Sequence, residues 1–399
     1  MNLPDNVYDL MEYIELKGYK AYLVGGAVRD ILSNKKPKDF DFTTDAKPQE
    51  IKEIFEKHIE TGIDFGTITV EFNKEYYEIT TFRLEHRYSD GRRPDMVFYS
   101  DSLLSDLSRR DFTMNAIALD KDLNVYDYFN GIEDLKNKLL RTIGRAKVRF
   151  KEDKLRKLRA VRIACENGYL IHEEIVRSVM NDPGLEGVSM ERIKTELDRI
   201  LLCENAKRGV ELLFRLHLMD NIVPGLREYT YPDMENWEDY TTDIEIAPKE
   251  LSLRVYLMLR PIGDGDKIFH ALKSLKYQRK VIEHCMDMWE YEKITSTEEF
   301  LSKLSKYSDS KLYLFKDLDR VLGRFPSWDE HIDRALENKM PRKVTDLEIS
   351  GDDLKSLGLK GRKIGEVLND LLHRAMYDPE INKKRILMSM VEKEIIDKE

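Results

Sequence analysis

Near the start of the chain a glycine pair stands close to a carboxylate pair. Leu23-Val24-Gly25-Gly26-Ala27-Val28-Arg29-Asp30 is followed by Lys38-Asp39-Phe40-Asp41-Phe42. Strand alternation puts Asp39 and Asp41 on one face and Phe40 and Phe42 on the other, and two carboxylates held that way can share divalent metal. Glycines leave backbone N–H groups open to a phosphate, and the segment after them reads as the start of a helix, whose N-terminus favours anions. Metal and triphosphate chemistry therefore converge on one site.

Three further clusters extend this chemistry. In Tyr76-Tyr77-Glu78-Ile79-Thr80-Thr81-Phe82 the alternation frees Glu78 for a neighbouring strand. If that strand pairs near the aspartates, Glu78 is a third carboxylate for metal or for the attacking hydroxyl; an ordinary polar sheet position is the other reading. In Ser108-Arg109-Arg110-Asp111-Phe112-Thr113-Met114-Asn115-Ala116, a helical stretch would put Asp111 and Asn115 on one face for ribose hydroxyls, with Arg110 offering charge to a triphosphate. A helix end with solvated arginines is the alternative. The run Arg149 to Arg162 reads as a helix with the stripe Leu155, Leu158 and Val161, with Asp153 and Arg156 on one face and Glu152 placed to hold Arg156. An accepting carboxylate and a donating guanidinium can read a base edge, and surface ion pairs are the bland alternative.

The elements that must position these groups divide the chain in two. From about 20 to 130, short strands alternate with helices: the strand into Gly25, the aspartate strand, Ile68 to Phe72, Tyr76 to Phe82, Ala116 to Leu119 and Val125 to Tyr128. Beyond about 140 the pattern is almost wholly helical, with amphipathic runs over Glu152 to Asn167, Met190 to Leu202 and Asn205 to Leu218. The segment Glu85 to Asp95 reads as a mobile loop. The expected fold is α+β: a head of small mixed sheet with helices over 1–140, a helical neck over 141–205, a helical body over 206–325 and a helical tail over 326–399.

Composition narrows the setting. The chain has 399 residues, 35% of them charged and 41% apolar, with no stretch approaching the length of a membrane span. Its first residues lack a basic-then-apolar signal, so a cytoplasmic location is expected. Cys165, Cys203 and Cys285 are odd in number and far apart in sequence, which points to core or incidental thiols and not to a disulfide framework or zinc site. A net charge of −9 argues against indiscriminate coating of nucleic acid, while local basic patches can still bind a defined RNA.

The strand, Gly-Gly, helix and aspartate strand resemble the head of the polymerase β-like nucleotidyltransferases. With Arg109 to Ala116, Glu152 to Arg156 and Glu191-Arg192-Ile193-Lys194-Thr195-Glu196-Leu197 in order, the chain resembles the class II tRNA nucleotidyltransferases (CCA-adding enzymes) and the related bacterial poly(A) polymerases over roughly 20 to 220. The resemblance implies that Asp39 and Asp41 bind two Mg²⁺, with Glu78 beside them, and that Gly25, Gly26 and Arg29 contact the triphosphate. It implies that Arg110, Asp111 and Asn115 serve triphosphate and ribose. Asp153 and Arg156 look like the amino-acid template for the incoming base, with Glu152 orienting Arg156, Arg159 also at the nucleotide, and Glu191 to Leu197 as a supporting neck helix.

The implied reaction is addition or repair of the tRNA 3′-terminal CCA from CTP and ATP, with loss of pyrophosphate. A-only addition, poly(A) synthesis and a catalytically silent RNA-binding protein are the alternatives. Tyr88 to Pro94 looks like the loop that full CCA enzymes use to switch from CTP to ATP. The segments Leu347 to Leu354 and Leu357 to Gly365 resemble the tail of bacterial CCA enzymes. Nearby, Lys360, Arg362, Lys363, Arg374, Lys383, Lys384 and Arg385 are candidates for tRNA phosphates. The eight histidines never precede an aspartate, so a second, His-Asp phosphohydrolase activity is not expected, and no stable protein partner is implied.

Overall fold

The computed structural model describes residues 3–86, 96–230 and 236–396. Two compact units make up the chain, Met1–Glu235 and Asn236–Glu399. The boundary expected at 205/206 falls inside the first unit. Among the described residues no helix is long and apolar enough to cross a membrane.

The first unit is built on strands β1 (Ala21–Val24), β2 (Asp41–Thr44), β3 (His58–Gly62), β4 (Thr67–Phe72), β5 (Glu75–Thr81), β6 (Arg83–His86), β7 (Met96–Tyr99), β8 (Ile117–Leu119) and β9 (Val125–Asp127). Seven of them form one sheet in the order β3-β4-β5-β2-β1-β8-β9, and β6 pairs with β7 apart from it. Every pairing in the large sheet is antiparallel except β2 with β5. Glu85 and His86, the start of the segment expected to be a loop, belong to β6, and β7 begins just after that segment. The segment likened to a switching loop, Tyr88 to Pro94, lies outside the described residues.

Alternation sorts this sheet into two faces. Leu23, Phe42, Ile79, Ile117 and Leu119 share a core with α1 (Asp5–Leu16), α2 (Gly26–Leu32) and α3 (Pro48–Ile54), while Val24, Ala116 and Ala118 pack on the other side with Leu103 and Leu107 of α4 (Leu103–Ser108). Then follow α5 (Gly131–Lys136), α6 (Ala146–Glu152), α7 (Leu155–Asn167), α8 (Glu173–Asn181), α9 (Met190–Leu202) and α10 (Ala206–Arg215). Gly131 lets α5 close on the preceding turn, because a Cβ there would meet the Thr113 carbonyl oxygen at 2.3 Å.

Two local expectations need correction. The helix expected from Glu152 to Asn167 is interrupted at Asp153, whose backbone is extended (φ −147°, ψ 108°) and whose Oδ1 accepts the Leu155 N–H at 3.0 Å. Such a local side-chain–backbone bond offers the chain an alternative to continuing the helix. The stretch with Asp111 and Asn115 is not α-helical: Thr113–Asn115 forms one 3₁₀ turn. The cysteines also behave differently in space than in sequence. Packing of α7 on α9 leaves the free thiols of Cys165 and Cys203 with 3.3 Å between sulfurs.

The second unit is helical throughout its described residues. Its core includes Tyr291 stacked on Phe315, with ring centroids 4.1 Å apart, and the Trp328 Nε1–H donates to the Tyr291 hydroxyl at 3.0 Å. That hydroxyl donates in turn to buried Asp319.

Candidate active site

Strand β1 ends at Val24 and the chain turns at Gly25, which has φ +73°, a region that costs a side-chain-bearing residue strain. A Cβ on Gly25 would stand 3.4 Å from Asp41 Oδ2 and 3.5 Å from Arg110 Nη1. The bare backbone thus faces the space between a carboxylate and a guanidinium. Asp41 opens β2, paired with Val24 on one side and with Glu78 of β5 on the other. Asp39 lies just before the strand and is exposed, while Phe42 is buried and Phe40 packs against the same core.

The three acids form one electrostatic group. Desolvation pushes the Asp41 carboxyl above its ordinary range, Arg110 opposes this and Asp39 adds to it. Glu78 is pushed up by desolvation and then by the charges of Asp41 and Asp39. Mutual repulsion of this kind is relieved by a cation. Among the described residues no three His, Cys, Asp or Glu side chains are gathered to cage a metal ion. Mg²⁺ does not need such a cage, since it is usually held by one or two carboxylates with waters and substrate phosphates. The aspartate pair fits that ion.

A second network carries the basic groups. Asp106 on α4 is fully buried: its Oδ1 accepts from Arg109 Nε (2.9 Å) and Nη2 (2.7 Å), and its Oδ2 accepts from Arg110 Nη2 and Thr43 Oγ, each at 3.2 Å. Burial raises the Asp106 pKa, but Arg109 and Arg110 outweigh it and the carboxyl lies below its usual range. Arg110 Nε is buried without a partner among the described residues.

Asp111 joins the two halves of the site. Its Oδ2 accepts from Arg159 Nε at 2.8 Å and its Oδ1 from Asn115 Nδ2 at 3.1 Å. Asn115 Oδ1 accepts from Arg29 Nη1 at 3.0 Å, and Arg29 Nη2 also holds Asp30 at 2.9 Å. Burial works to raise Asp111, yet Arg159, the Asn115 hydrogen bond and Arg156 bring it down to about 2. Gly26 lies over this arginine, since a Cβ there would come 3.6 Å from Arg29 Nη2. Asp111 and Asn115 therefore meet through a tight turn and not through a helix face.

At the α6–α7 junction Arg156 Nη1 pairs with Glu152 and donates to the Arg149 carbonyl at 3.2 Å, and Nη2 donates to the Arg109 carbonyl at 3.2 Å. Asp153 points elsewhere. Its Oδ2 accepts from Arg192 Nη2 on α9 at 2.7 Å. The structure thus brings Gly25, Gly26, Arg29, Asp41, Glu78, Arg110, Asp111, Asn115, Glu152, Asp153, Arg156 and Arg159 into the first unit, where these contacts link many of them. Lys360, Arg362, Lys363, Lys383, Lys384 and Arg385 belong to the second unit and are all exposed. Three of them pair with acids: Arg362 with Glu366 (3.0 Å), Lys383 with Glu380 (2.8 Å) and Lys384 with Asp353 (2.6 Å).

Comparison with known proteins gives this arrangement a family. Residues 21–141 match the poly A polymerase head domain, and residues 173–230 match a probable RNA and SrmB-binding site of polymerase A. A CCA-adding enzyme of Listeria innocua is 35% identical over 351 residues, covering 86% of each chain. The chain belongs to the CCA-adding enzyme family. Among solved structures, the Bacillus stearothermophilus CCA-adding enzyme in complex with CTP is 27% identical with a TM-score of 0.78, covering 98% of both chains. The Thermotoga maritima CCA-adding enzyme complexed with tRNA shares the fold at a TM-score of 0.68 and 19% identity, covering 99% of this chain and 97% of that one.

In this CCA-adding family member the residues missed by sequence reasoning are those that aim the others. Asp106 lies three and four positions before Arg109 and Arg110, a helical spacing that was available as a signal. Arg149, which donates to the Ser108 and Ile143 carbonyls at 2.7 Å each and pairs with Glu152 at 3.0 Å, ties the junction to the arginine turn. Ser108 is 41 residues from it in sequence, so spacing alone could not find that tie.

Proposed function

We infer that this protein adds or repairs the 3′-terminal CCA of tRNA, using CTP and ATP and releasing pyrophosphate. The observation that carries this reading is the placing of Asp41 beside Glu78 and against the bare backbone of Gly25 and the Arg110 guanidinium, in a chain related to CCA-adding enzymes over most of its length.

The terminal ribose hydroxyl of the RNA attacks the α-phosphorus of the nucleotide; the new O–P bond forms as the bond to pyrophosphate breaks. Asp39 and Asp41, with Glu78 beside them, would hold a pair of Mg²⁺ ions, which when bound lower the pKa of the attacking hydroxyl and neutralise charge on the triphosphate. Gly25 and Gly26 keep side chains out of the path of the phosphates. Arg110, aimed by Asp106, and Arg29 meet the triphosphate charge. Asp111 and Asn115 serve the ribose, with Arg159 keeping Asp111 ionised.

Base choice follows from hydrogen-bond complementarity. Cytosine and adenine each present an amino donor beside a ring nitrogen acceptor, whereas uracil and guanine present a carbonyl beside an N–H. Asp153 accepts and Arg156 donates, so the pair suits the first pattern and opposes the second. Glu152 holds Arg156 for that task. The head over 1–140 carries the chemistry, the neck over 141–205 reads the base, the body over 206–325 is structural and RNA-facing, and the tail over 326–399 offers Lys360, Arg362, Lys363, Lys383, Lys384 and Arg385 to tRNA phosphates.

The test is single-nucleotide incorporation with Mg²⁺ on three tRNAs: one lacking CCA, one ending in its first C and one ending in CC. CTP should extend the first two and ATP the third. Absence of both incorporations would overturn the reading, and ATP use without CTP use would reduce it to A-only addition.

A further inference from the structure

The direction of Asp153 is set by a residue on α9, far along the chain. Because the chain is extended at Asp153, helical geometry does not fix its carboxylate. Two contacts do so instead. Oδ1 accepts the Leu155 N–H at 3.0 Å, and the Arg192 fork closes on both oxygens, Nη2 to Oδ2 at 2.7 Å and Nη1 to Oδ1 at 3.3 Å. Both side chains are largely sheltered, with 22% and 14% exposure for Arg192 and Asp153.

Arg192 has a firm base. It sits in the first turn of α9, and α9 is fastened to α7 by Arg162 with Glu196 and by Arg199 with Glu166, the latter at 2.9 Å. Arg156, by contrast, is anchored from α6 and from the arginine turn. The acceptor and the donor of the base-reading pair therefore hang on different helices.

We propose that Arg192 is a specificity-determining positioning residue, fixing Asp153 as a pure acceptor toward the incoming base. The inference rests on the base-reading role given to Asp153 above. A bidentate guanidinium removes the rotation by which a carboxylate evades an unfavourable neighbour. Held in place, Asp153 meets the uracil carbonyl with a second oxygen and rejects it. Released, it turns aside or admits water, and the penalty against uracil falls while the fit to cytosine also loosens.

A purely structural Arg192 would slow every nucleotide alike, so the readout is a ratio. The full chain and its Arg192→Gln, Arg192→Lys and Asp153→Asn variants are compared by kcat/KM for CTP and UTP on tRNA lacking CCA, with thermal unfolding alongside. In Arg192→Gln the CTP:UTP preference should fall about tenfold or more, a factor typical of one lost polar discrimination. Arg192→Lys keeps the charge and loses the fork; it should recover part of the preference and serves if the glutamine variant fails to fold. Equal losses for CTP and UTP in both Arg192 variants, with Asp153→Asn still shifting the ratio, would overturn the inference and leave the role of Asp153 intact. An unchanged ratio in Asp153→Asn would overturn both.

Discussion

Asp106→Asn tests the claim that a buried carboxylate aims the arginines of the site. The wild-type side chain has no solvent exposure and accepts four hydrogen bonds, two from Arg109 and one each from Arg110 and Thr43. Asparagine keeps the shape but removes the charge and turns one acceptor into a donor, so either Arg109 or the Arg110 and Thr43 pair faces an N–H. Breaking a buried ion pair costs about 3–5 kcal/mol. The arginine side chains keep 16% and 17% exposure, so water recovers part of this and the lower end, about 3 kcal/mol, applies. For a unit of this size that corresponds to a fall in Tm of about 6–12 °C. Calorimetry on the full chain should show that fall, and steady-state kinetics should show a raised KM for CTP because Arg110 has lost its aim. Thr43→Val, which removes one hydroxyl, should cost no more than about 1.5 kcal/mol. An Asp106→Asn protein with Tm within about 2 °C of wild type and an unchanged KM would refute the reasoning.

Three other outcomes are expected. Gly25→Ala places a methyl group between Asp41 and Arg110 and forces φ +73° on a side-chain-bearing residue, at about 1–2 kcal/mol; CTP incorporation should drop far more than Tm, and a parallel small loss in both would count against a phosphate path there. Asp111, held at about 2 against roughly 3.9 in the unfolded chain, stabilises above pH 4 and loses that contribution as pH falls toward 2. Urea unfolding of Asp111→Asn should lack this acid limb, worth about 2–3 kcal/mol. Asp319 behaves in the opposite sense. Burial raises it to about 6 despite the Tyr291 hydrogen bond and Arg324, so its contribution is present below about pH 4 and is lost as pH rises through 6. Asp319→Asn should flatten the stability profile between those values, and an unaltered slope would assign it to another group.

Much of the site was legible because strand alternation is a strict code. Two-residue periodicity sent Asp41 and Glu78 away from Phe42 and Ile79, and the register then set the two acids side by side. The break at Asp153 was hidden because the apolar stripe of Leu155, Leu158 and Val161 continues a helical rhythm, while the extended residue that follows α6 is also the one expected to act. Strand β3 escaped notice because His58-Ile59-Glu60-Thr61-Gly62 carries little apolar pattern at the sheet edge. Arg192 and Arg149 act on partners far along the chain, and the proximity of Cys165 and Cys203 has the same origin. Contacts set by helix packing leave no local mark.

The lone parallel pairing of the large sheet has a consequence for how the protein comes into being. Neighbouring parallel strands cannot be joined by a tight turn, so α3, β3 and β4 must all be made before β5 can lie beside β2. Glu78 reaches Asp41 only through that long excursion, and non-local closure of this kind is the slow part of folding. On the ribosome the chain carries both aspartates and the glycine turn well before their third acid partner emerges. Assembly of the carboxylate cluster thus waits on β5, and β8 and β9 must still follow before the sheet itself is complete.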